Sequence, residues 1–471
     1  MEHIRQAIVQ ARVLSTEYDH LVPTRVVDEN EYTGTCFRVD NKLFPFGDKV
    51  LFLTNFHVCD TADNRVVHLR TAGMGKSALT GHIEAVVPQL DCAVISLADH
   101  HEKWFMDDPN EWIRRIAIAP LCKERITSKT QQVSTIGFPQ GLEEQLSSGW
   151  LAGRGSDDMD MLHVNISINS GNSGGPLCDK HGNVIGICTA TLNESEAIAF
   201  AVPIFSVLKY FQNYYYGPFG KFPQWGVRLM PMTDAYAVEF GIKTMGAVVR
   251  RVEKGSVAHG VLKKGDVVHS IESGDLHADL DRFGLIHDDT RGSKITIDNT
   301  EFLMRLTPSH TYINVTRRKM HMKIALTPHP INYKVVDNYK EWNPVATHTF
   351  GPLTLQTLSK TLITSDSMPA SKVVELVEVL KQTNCMKELI IITHVQSRSY
   401  VNHFDLDLEF AIVQKVGRYT VKNMAHCVKL LNAVVERWQH RQQERIMIGT
   451  SMGDIWLTLD QLHITLKRKR L

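Results

Sequence analysis

The sequence has no long apolar run and no excess of charge of either sign. Across 471 residues, no apolar stretch approaches the roughly 18 residues that a transmembrane helix requires. The 52 basic and 51 acidic side chains leave a formal net charge of +1. The chain as a whole therefore has no electrostatic attraction for nucleic acid or an anionic membrane, and we expect neither among its partners.

The cysteines lack the spacing of a metal site. None of the eight cysteines forms a Cys-x-x-Cys pair, which argues against structural zinc. We expect no metal and no cofactor. Cys36 and Cys59 flank one apolar run and could lie close together. Whether they form a disulfide stays open, because a reducing compartment would oppose it.

The two ends of the chain carry weaker signals. The N-terminal residues lack the apolar segment of a signal peptide, which favours an intracellular protein, cytoplasmic or nuclear. The spacing of Ile4, Ile8 and Ala11 predicts a helical segment over residues 1–25. The basic run from Lys467 to Arg470 fits either a nuclear signal or a solvated tail.

The most informative stretch is NSGNSGGPL, from Asn169 to Leu177. Its second serine, Ser173, stands among glycines and between two apolar, strand-like runs. Glycines let the backbone turn so that the N–H groups of Gly171 and Ser173 point into one small hole, as an oxyanion site requires. We therefore predict an oxyanion hole at Gly171, Asn172 and Ser173. For this motif by itself, a Gly/Ser turn between strands is the alternative.

A candidate base and its orienting partner precede this serine. The apolar run VLFLTNFHV brings His57 to the end of a predicted strand, where a histidine is held rigidly beside a cleft. Asp91 opens the apolar run DCAVISL, and a carboxylate there is costly to bury without a hydrogen bond. A catalytic triad supplies that bond, since the carboxylate accepts the imidazole N–H and fixes its tautomer. We predict His57, Asp91 and Ser173 as the catalytic residues.

Three motifs together resemble those of the HtrA/Deg serine proteases: TNFHV around His57, DCAV from Asp91, and GNSGGPL around Ser173. The resemblance implies a mainly β fold, with a chymotrypsin-like double β-barrel followed by two PDZ-like α+β domains. It also implies an ATP-independent serine endopeptidase without a cofactor. Two residues depart from the family pattern: Phe56 replaces a small residue, and Cys92 replaces leucine. Phe56 could crowd the cleft beside His57.

The walls of a specificity pocket are expected just before Ser173 and on the strand that follows it. These positions hold Ser167, Ile168, Thr189 and Ala190. Because none of them is acidic, we expect a small to medium, uncharged substrate side chain at the cleavage position.

The resemblance divides the chain into domains. After the N-terminal segment, it implies a protease domain over residues 26–217, a PDZ domain over 222–330, and a divergent PDZ-like domain over 331–471. The polar segment 277–296 within the PDZ domain is predicted to be a loop.

The PDZ resemblance suggests a peptide site. A peptide C-terminus would pair with the strand that starts at Val227, and its carboxylate would meet the N–H groups near Trp225, Gly226 and Val227. In the alternative, this domain packs on the protease and binds no free peptide.

These observations lead to two functional hypotheses. In the first, the chain cleaves unfolded proteins or exposed C-terminal tails, and the resemblance implies a homo-oligomer, a trimer or a multiple of trimers. In the second, it is a PDZ-based binding or chaperone scaffold with a latent or inactive protease domain. The intact set of His57, Asp91 and Ser173 favours the first hypothesis.

Overall fold

The computed structural model describes residues 2–71, 78–98, 116–126, 130–138, 144–154, 161–166, 171–191, 199–241, 246–288, 293–331, 334, 342, 344–383, 387–396, 399, 401, 408–439 and 445–458. The chain divides into two compact units. The first contains Met1–Ser15 and Glu31–Ile331, and the second contains Thr16–Asn30 and Asn332–Leu471.

The first unit begins with a closed six-stranded barrel in the order β1-β2-β3-β6-β5-β4. Its elements are α1 (Glu2–Arg5), β1 (Ile8–Tyr18), β2 (Val26–Val39), β3 (Leu51–Thr54), β4 (Val66–Arg70), β5 (Leu79–Val87) and β6 (Cys92–Leu97). Every residue of β3 and of β6 is buried. These two buried, largely apolar strands therefore hold in place the residues that follow β3 and precede β6.

A second closed six-stranded barrel follows, in the order β10-β11-β12-β9-β8-β7. Its elements are β7 (Gln132–Gly137), β8 (Gln145–Arg154), β9 (Leu162–Val164), β10 (Pro176–Asp179), β11 (Val184–Thr191), β12 (Ala199–Pro203) and the helix α2 (Ile204–Asn213). The two barrels confirm the predicted mainly β, chymotrypsin-like double-barrel architecture.

The first unit ends in a six-stranded sheet in the order β13-β14-β15-β19-β20, with β16 paired to β15. The elements are β13 (Val227–Pro231), α3 (Asp234–Phe240), β14 (Ala247–Val252), β15 (Val267–Ser273), β16 (Leu276–Asp279), β17 (Leu285–Asp288), β18 (Ser293–Thr296), α4 (Thr300–Arg305), β19 (Thr311–Arg317) and β20 (Met320–Leu326). Asn299 caps α4 by accepting a hydrogen bond from the Phe302 N–H.

The second unit contains a three-stranded sheet, β21-β22-β23, and a four-stranded sheet, β25-β24-β26-β27. Its elements are β21 (Thr347–Phe350), β22 (Leu353–Thr357), α5 (Lys360–Thr364), α6 (Ala370–Thr383), β23 (Ile390–Val395), β24 (Val413–Val416), β25 (Tyr419–Thr420), α7 (Met424–Gln439), β26 (Arg445–Thr450) and β27 (Gly453–Thr458). The helix α7 packs its apolar face on the four-stranded sheet. Residues 16–30 join this unit, where the Leu21 carbonyl accepts a hydrogen bond from the Thr393 hydroxyl.

Two predicted segments differ from the structure. Residues 1–25 are not a helix: α1 covers Glu2–Arg5, and β1 starts at Ile8 and pairs with β4. Barrel pairing outweighs the helix-like spacing there, because a strand buries the same apolar side chains against the barrel core. Segment 277–296 is not a loop either, since it contains β17 and β18, whose Ile286 and Ile295 are buried.

Among the described residues, no helix is long and apolar enough to cross a membrane. The predicted basic run at Lys467–Arg470 lies outside the described residues.

Candidate active site

The strand pairing of the first barrel brings His57 and Asp91 together. Strand β3 pairs with β6 so that Thr54 lies opposite Ala93. His57 follows β3 by three residues and Asp91 directly precedes β6, so both side chains lie at the same end of this strand pair. Ser173 comes from the second barrel, in the turn before β10.

The Asp91 carboxylate is held in one orientation by several donors. The imidazole Nδ1 of His57 lies 2.8 Å from Oδ2 and 3.0 Å from Oδ1 of Asp91. The backbone N–H of His57 donates to Oδ1 at 3.0 Å, and the Thr189 hydroxyl donates to Oδ2. Asn55 Nδ2 donates to the Asp91 carbonyl at 3.0 Å and so fixes the backbone as well. This arrangement leaves the other ring nitrogen of His57, Nε2, to act as the base.

The surroundings of His57 favour its charged form. Burial opposes the charge of the imidazolium, but the hydrogen bond and the negative charge of Asp91 outweigh burial and raise the pKa of His57 above its usual value. The carboxyl group of Asp60 adds to this effect. Burial raises the pKa of Asp60 itself to about 6. A stabilised imidazolium suits a residue that must accept a proton during the reaction.

The Ser173 hydroxyl donates to the carbonyl oxygen of Thr189 at 2.7 Å. Among the described residues, it makes no hydrogen bond to His57. Thr189 therefore contacts two members of the candidate triad, through its hydroxyl at Asp91 and through its carbonyl at Ser173. Rotation about the Cα–Cβ bond of Ser173 is needed to bring its hydroxyl to His57.

The turn that carries Ser173 has a backbone that requires glycine. Gly171 has φ +102° and Gly174 has φ +85°, both in the left-handed region. A Cβ atom on Gly174 would collide with the carbonyl of Thr35 and the hydroxyl of Thr54. Among the described residues, the N–H groups of Gly171 and Ser173 donate to no other group, as an open oxyanion hole requires.

Asn172 lies between these two donors. Its carbonyl accepts the Gly175 N–H at 3.0 Å, and its side chain is 3% exposed. The side chain thus points into the protein, and the residue acts in the turn through its backbone.

The structure describes the side chain of only one of the four predicted specificity-pocket residues, Thr189. Ser167 and Ile168 lie outside the described residues, as does the side chain of Ala190. The Thr189 side chain faces Asp91 and is 4% exposed, so we assign it to the support of the carboxylate instead of to a substrate pocket. Phe56 is 5% exposed, so its ring does not project into an open cleft as expected.

The predicted peptide site lies at the start of β13, an edge strand of its sheet. Gly226 has φ +63°, and its carbonyl accepts the Glu253 N–H at 2.7 Å. Trp225 is 1% exposed, so its side chain is not available to a ligand. A cavity of about 360 Å³ adjoins this turn, and its lining includes Gly226, Val227, Arg228 and, from the first barrel, Gln89.

Two supporting residues were not predicted from the sequence. Asn55 and Thr35 are each 0% exposed, and both contact the site through hydrogen bonds. Each is a polar residue within or beside an otherwise apolar strand-like run. Because a buried polar group needs a hydrogen-bond partner, this pattern could have indicated a supporting role. Within the described ranges, no group of three or more His, Cys, Asp or Glu side chains is placed to hold a metal ion. Cys36 and Cys59 are both free thiols.

The double barrel, the His57–Asp91 pair and the glycine turn of Ser173 define a chymotrypsin-like serine peptidase domain. Comparison with known proteins agrees, since residues 34–187 match the trypsin-like peptidase domain. The relatives to which the chain is similar are HtrA/Deg-type serine proteases, in agreement with the resemblance of its motifs.

Individual relatives are similar over part of their length. A DegP-like periplasmic serine endoprotease of Bartonella henselae is 25% identical over 254 residues, which cover 52% of this chain and 47% of that protein. Protease Do-like 2, chloroplastic, of Arabidopsis thaliana is 27% identical over 285 residues, or 58% of this chain and 43% of that protein. The chain thus spans about half the length of these curated relatives. The HtrA-type protease AlgW, solved with a decapeptide, superposes with a TM-score of 0.47 at 20% identity, covering 70% of this chain and 97% of that chain.

The predicted intracellular, cytoplasmic or nuclear location is wrong. The finding that overturns it is that the DegP-like relatives are named as periplasmic. The prediction rested on the missing apolar segment near the start of the sequence, and that feature does not define a compartment.

Proposed function

We propose that the chain is a serine endopeptidase that hydrolyses peptide bonds through Ser173, His57 and Asp91. The observation that carries the proposal is the His57–Asp91 pair, with Nδ1 2.8 Å from Oδ2, beside a serine on a glycine turn. The similarity to HtrA/Deg serine proteases and the match to the trypsin-like peptidase domain support the same reaction.

The reaction follows from these positions. The Ser173 hydroxyl turns from the Thr189 carbonyl to His57, which takes its proton as the oxygen attacks the substrate carbonyl carbon. The carbonyl oxygen becomes an oxyanion and accepts hydrogen bonds from the N–H groups of Gly171 and Ser173. His57 then gives the proton to the leaving amine, and an acyl-enzyme remains. Water, deprotonated by His57, attacks this ester and releases the acid and free Ser173.

The proposal extends to substrates and partners. We propose unfolded proteins or exposed C-terminal tails as substrates, cleaved without ATP. The family resemblance also implies a homo-oligomer built from trimers, which light scattering on the purified chain would test. Peptide C-termini would add to the free edge of β13, with the backbone N–H groups near Trp225, Gly226 and Val227 meeting the carboxylate.

The domain organisation belongs to the same proposal. We place the protease domain within residues 26–217, a PDZ domain at 222–330 and a divergent PDZ-like domain at 331–471. The edge position of β13, opposite the capped helix α4, supports a PDZ assignment for the middle part.

A latent protease on a PDZ scaffold is the second candidate. The hydrogen bond from the Ser173 hydroxyl to the Thr189 carbonyl favours it, because that bond holds the serine away from the base. In this case the chain would bind peptides while its serine stays inactive until the hydroxyl is released.

Cleavage of casein by the purified chain, compared with Ser173→Ala, tests the proposal. We expect degradation by the native chain and a loss of at least about 10³-fold in the variant. Equal cleavage by both would refute Ser173 as the nucleophile. If neither protein cleaves casein, a fluorophosphonate probe distinguishes the two candidate functions. Labelling of Ser173 supports a competent enzyme of narrow specificity. An unlabelled native chain supports the latent scaffold.

A further inference from the structure

One buried hydroxyl connects three segments around the nucleophile. Thr35 lies in β2 of the first barrel and is 0% exposed. Its hydroxyl donates to the carbonyl of Gly171 at 2.7 Å and accepts the N–H of Phe138 at 3.1 Å. Its backbone N–H donates to the carbonyl of Ser173 at 2.9 Å. The strand of one barrel therefore holds the catalytic turn of the other barrel at two points.

These bonds fix the peptide units that adjoin the oxyanion donors. The carbonyls of Gly171, Asn172 and Ser173 each have a fixed partner: the Thr35 hydroxyl, the Gly175 N–H and the Thr35 N–H respectively. Because peptide units are planar, fixing the carbonyl of one residue also fixes the N–H of the next residue. The Asn172–Ser173 unit, which carries the Ser173 N–H, lies between two units whose carbonyls Thr35 holds. The Gly171 N–H directly precedes the first of these two units.

The turn needs this external support because of its glycines. A glycine has no side chain that restricts its backbone, so Gly171 can adopt many conformations besides the observed φ of +102°. Without the hydroxyl bond, the Gly171–Asn172 peptide unit would be free to rotate, and the donor N–H groups on either side of it, those of Gly171 and Ser173, would lose their fixed orientation. Oxyanion stabilisation depends on donors that are already in place.

We propose that Thr35 is a positioning residue whose side-chain hydroxyl holds the oxyanion turn in its open, donor-ready form. This inference rests on the proposed peptidase function. It also means that the oxyanion hole is assembled across the two barrels: the donors belong to the second, and the support for them belongs to the first.

Thr35→Val tests the inference, because valine has nearly the same shape without the hydroxyl. We expect kcat to fall about 10- to 100-fold with KM unchanged, and the affinity for a peptidyl boronate, which mimics the tetrahedral state, to fall by a similar factor. The pH profile should stay the same, since Thr35 makes no bond to His57 or Asp91. Thr35→Ser, which restores the hydroxyl, should recover kcat to within about threefold.

Thr135→Val is the matched control. Thr135 is also a buried β-strand threonine, 1% exposed. Its hydroxyl accepts a hydrogen bond from the Cys188 thiol and makes none to the turn that carries Ser173. We expect a comparable change in melting temperature with kcat unchanged. If Thr35→Val melts below the assay temperature, Thr35→Ala and Thr35→Ser are compared at a lower temperature.

Fluorophosphonate labelling separates this inference from the proposed function. A native chain that is not labelled at Ser173 overturns both. The role of Thr35 alone is overturned if the native chain is labelled, Thr35→Val is labelled at the same rate, and the boronate affinity of Thr35→Val is unchanged. Slower labelling of Thr35→Val with a normal Thr135→Val supports it.

Discussion

Polar side chains buried beside His57 set the proton affinity of that histidine. Asp91 accepts hydrogen bonds from the His57 backbone, the His57 ring and the Thr189 hydroxyl, so its carboxylate cannot turn away. Asp60 adds a second carboxyl group nearby, and its pKa of about 6 means that it becomes charged near neutral pH. Both carboxylates favour the imidazolium over the neutral ring.

Asp60→Asn is therefore expected to shift the pH dependence of activity. Removal of this negative charge lowers the pKa of His57, so the neutral base is present at lower pH. We expect the acid limb of kcat/KM to move to lower pH while the plateau rate stays within about twofold. The measurement is a pH–rate profile from pH 5 to 9, with the exposed Asp48→Asn as control. An acid limb that stays in place or moves to higher pH would show that Asp60 does not act on His57.

At the scale of elements, the turn before β10 depends on a glycine that no other residue can replace. Gly174 combines a φ of +85° with a position in which a Cβ would meet the Thr35 carbonyl and the Thr54 hydroxyl. Neither neighbour can yield, since both belong to buried strands of the first barrel.

Gly174→Ala should displace the turn and disrupt the oxyanion donors. We expect a loss of at least about 10²-fold in kcat and in the rate of fluorophosphonate labelling, with a destabilisation of about 1–3 kcal/mol from the strained backbone. Gly47→Ala is the control: Gly47 has a similar φ of +70° but open space around it. It should lose stability through strain alone and keep full activity. Normal labelling of Gly174→Ala would show that the turn tolerates the displacement.

At the scale of the whole molecule, the largest buried cluster of the first unit contains residues of both barrels and of the sheet of β13–β20, and further residues of the second barrel form a separate cluster. Tyr214, directly after α2, lies in the largest cluster and donates its hydroxyl to the carbonyls of Leu303 and Leu306 at 2.9 and 3.0 Å. These carbonyls lie at the C-terminal end of α4, where the Leu303 carbonyl also accepts the Leu306 N–H at 3.1 Å.

Tyr214→Phe should therefore weaken the first unit as a whole. The loss of this hydroxyl leaves two buried carbonyls with fewer donors, which costs about 1–2 kcal/mol. We expect differential scanning calorimetry to show a lower melting temperature for the unfolding transition of the first unit. Activity should be lost in the same transition. Tyr216→Phe, at an exposed position two residues later, should have no effect. A lower melting temperature without a matching loss of activity would mean that the barrels unfold separately from the sheet.

The double barrel and the pairing of His57 with Asp91 were predictable because short local motifs carry the resemblance to the HtrA/Deg proteases. His57, Asp91 and Ser173 each stand in a short motif beside a strand-like run, and the chemistry of a triad requires those residue types in that setting. Glycine at the turn was predictable for the same reason. The helix expected over residues 1–25 was not correct, since the spacing of its apolar residues also fits a strand in a barrel.

The sequence by itself determined which groups can perform the chemistry, because residue type and neighbouring residues decide what a side chain can donate, accept or attack. Only the tertiary structure decided which partners those groups have. Thr35 bonds to Gly171 across 136 positions, and Thr189 to Asp91 across 98. The bond of Ser173 to the Thr189 carbonyl also depends on how the strands meet. A hydrogen bond acts over about 3 Å, so bonds between residues far apart in sequence exist only after the chain has folded.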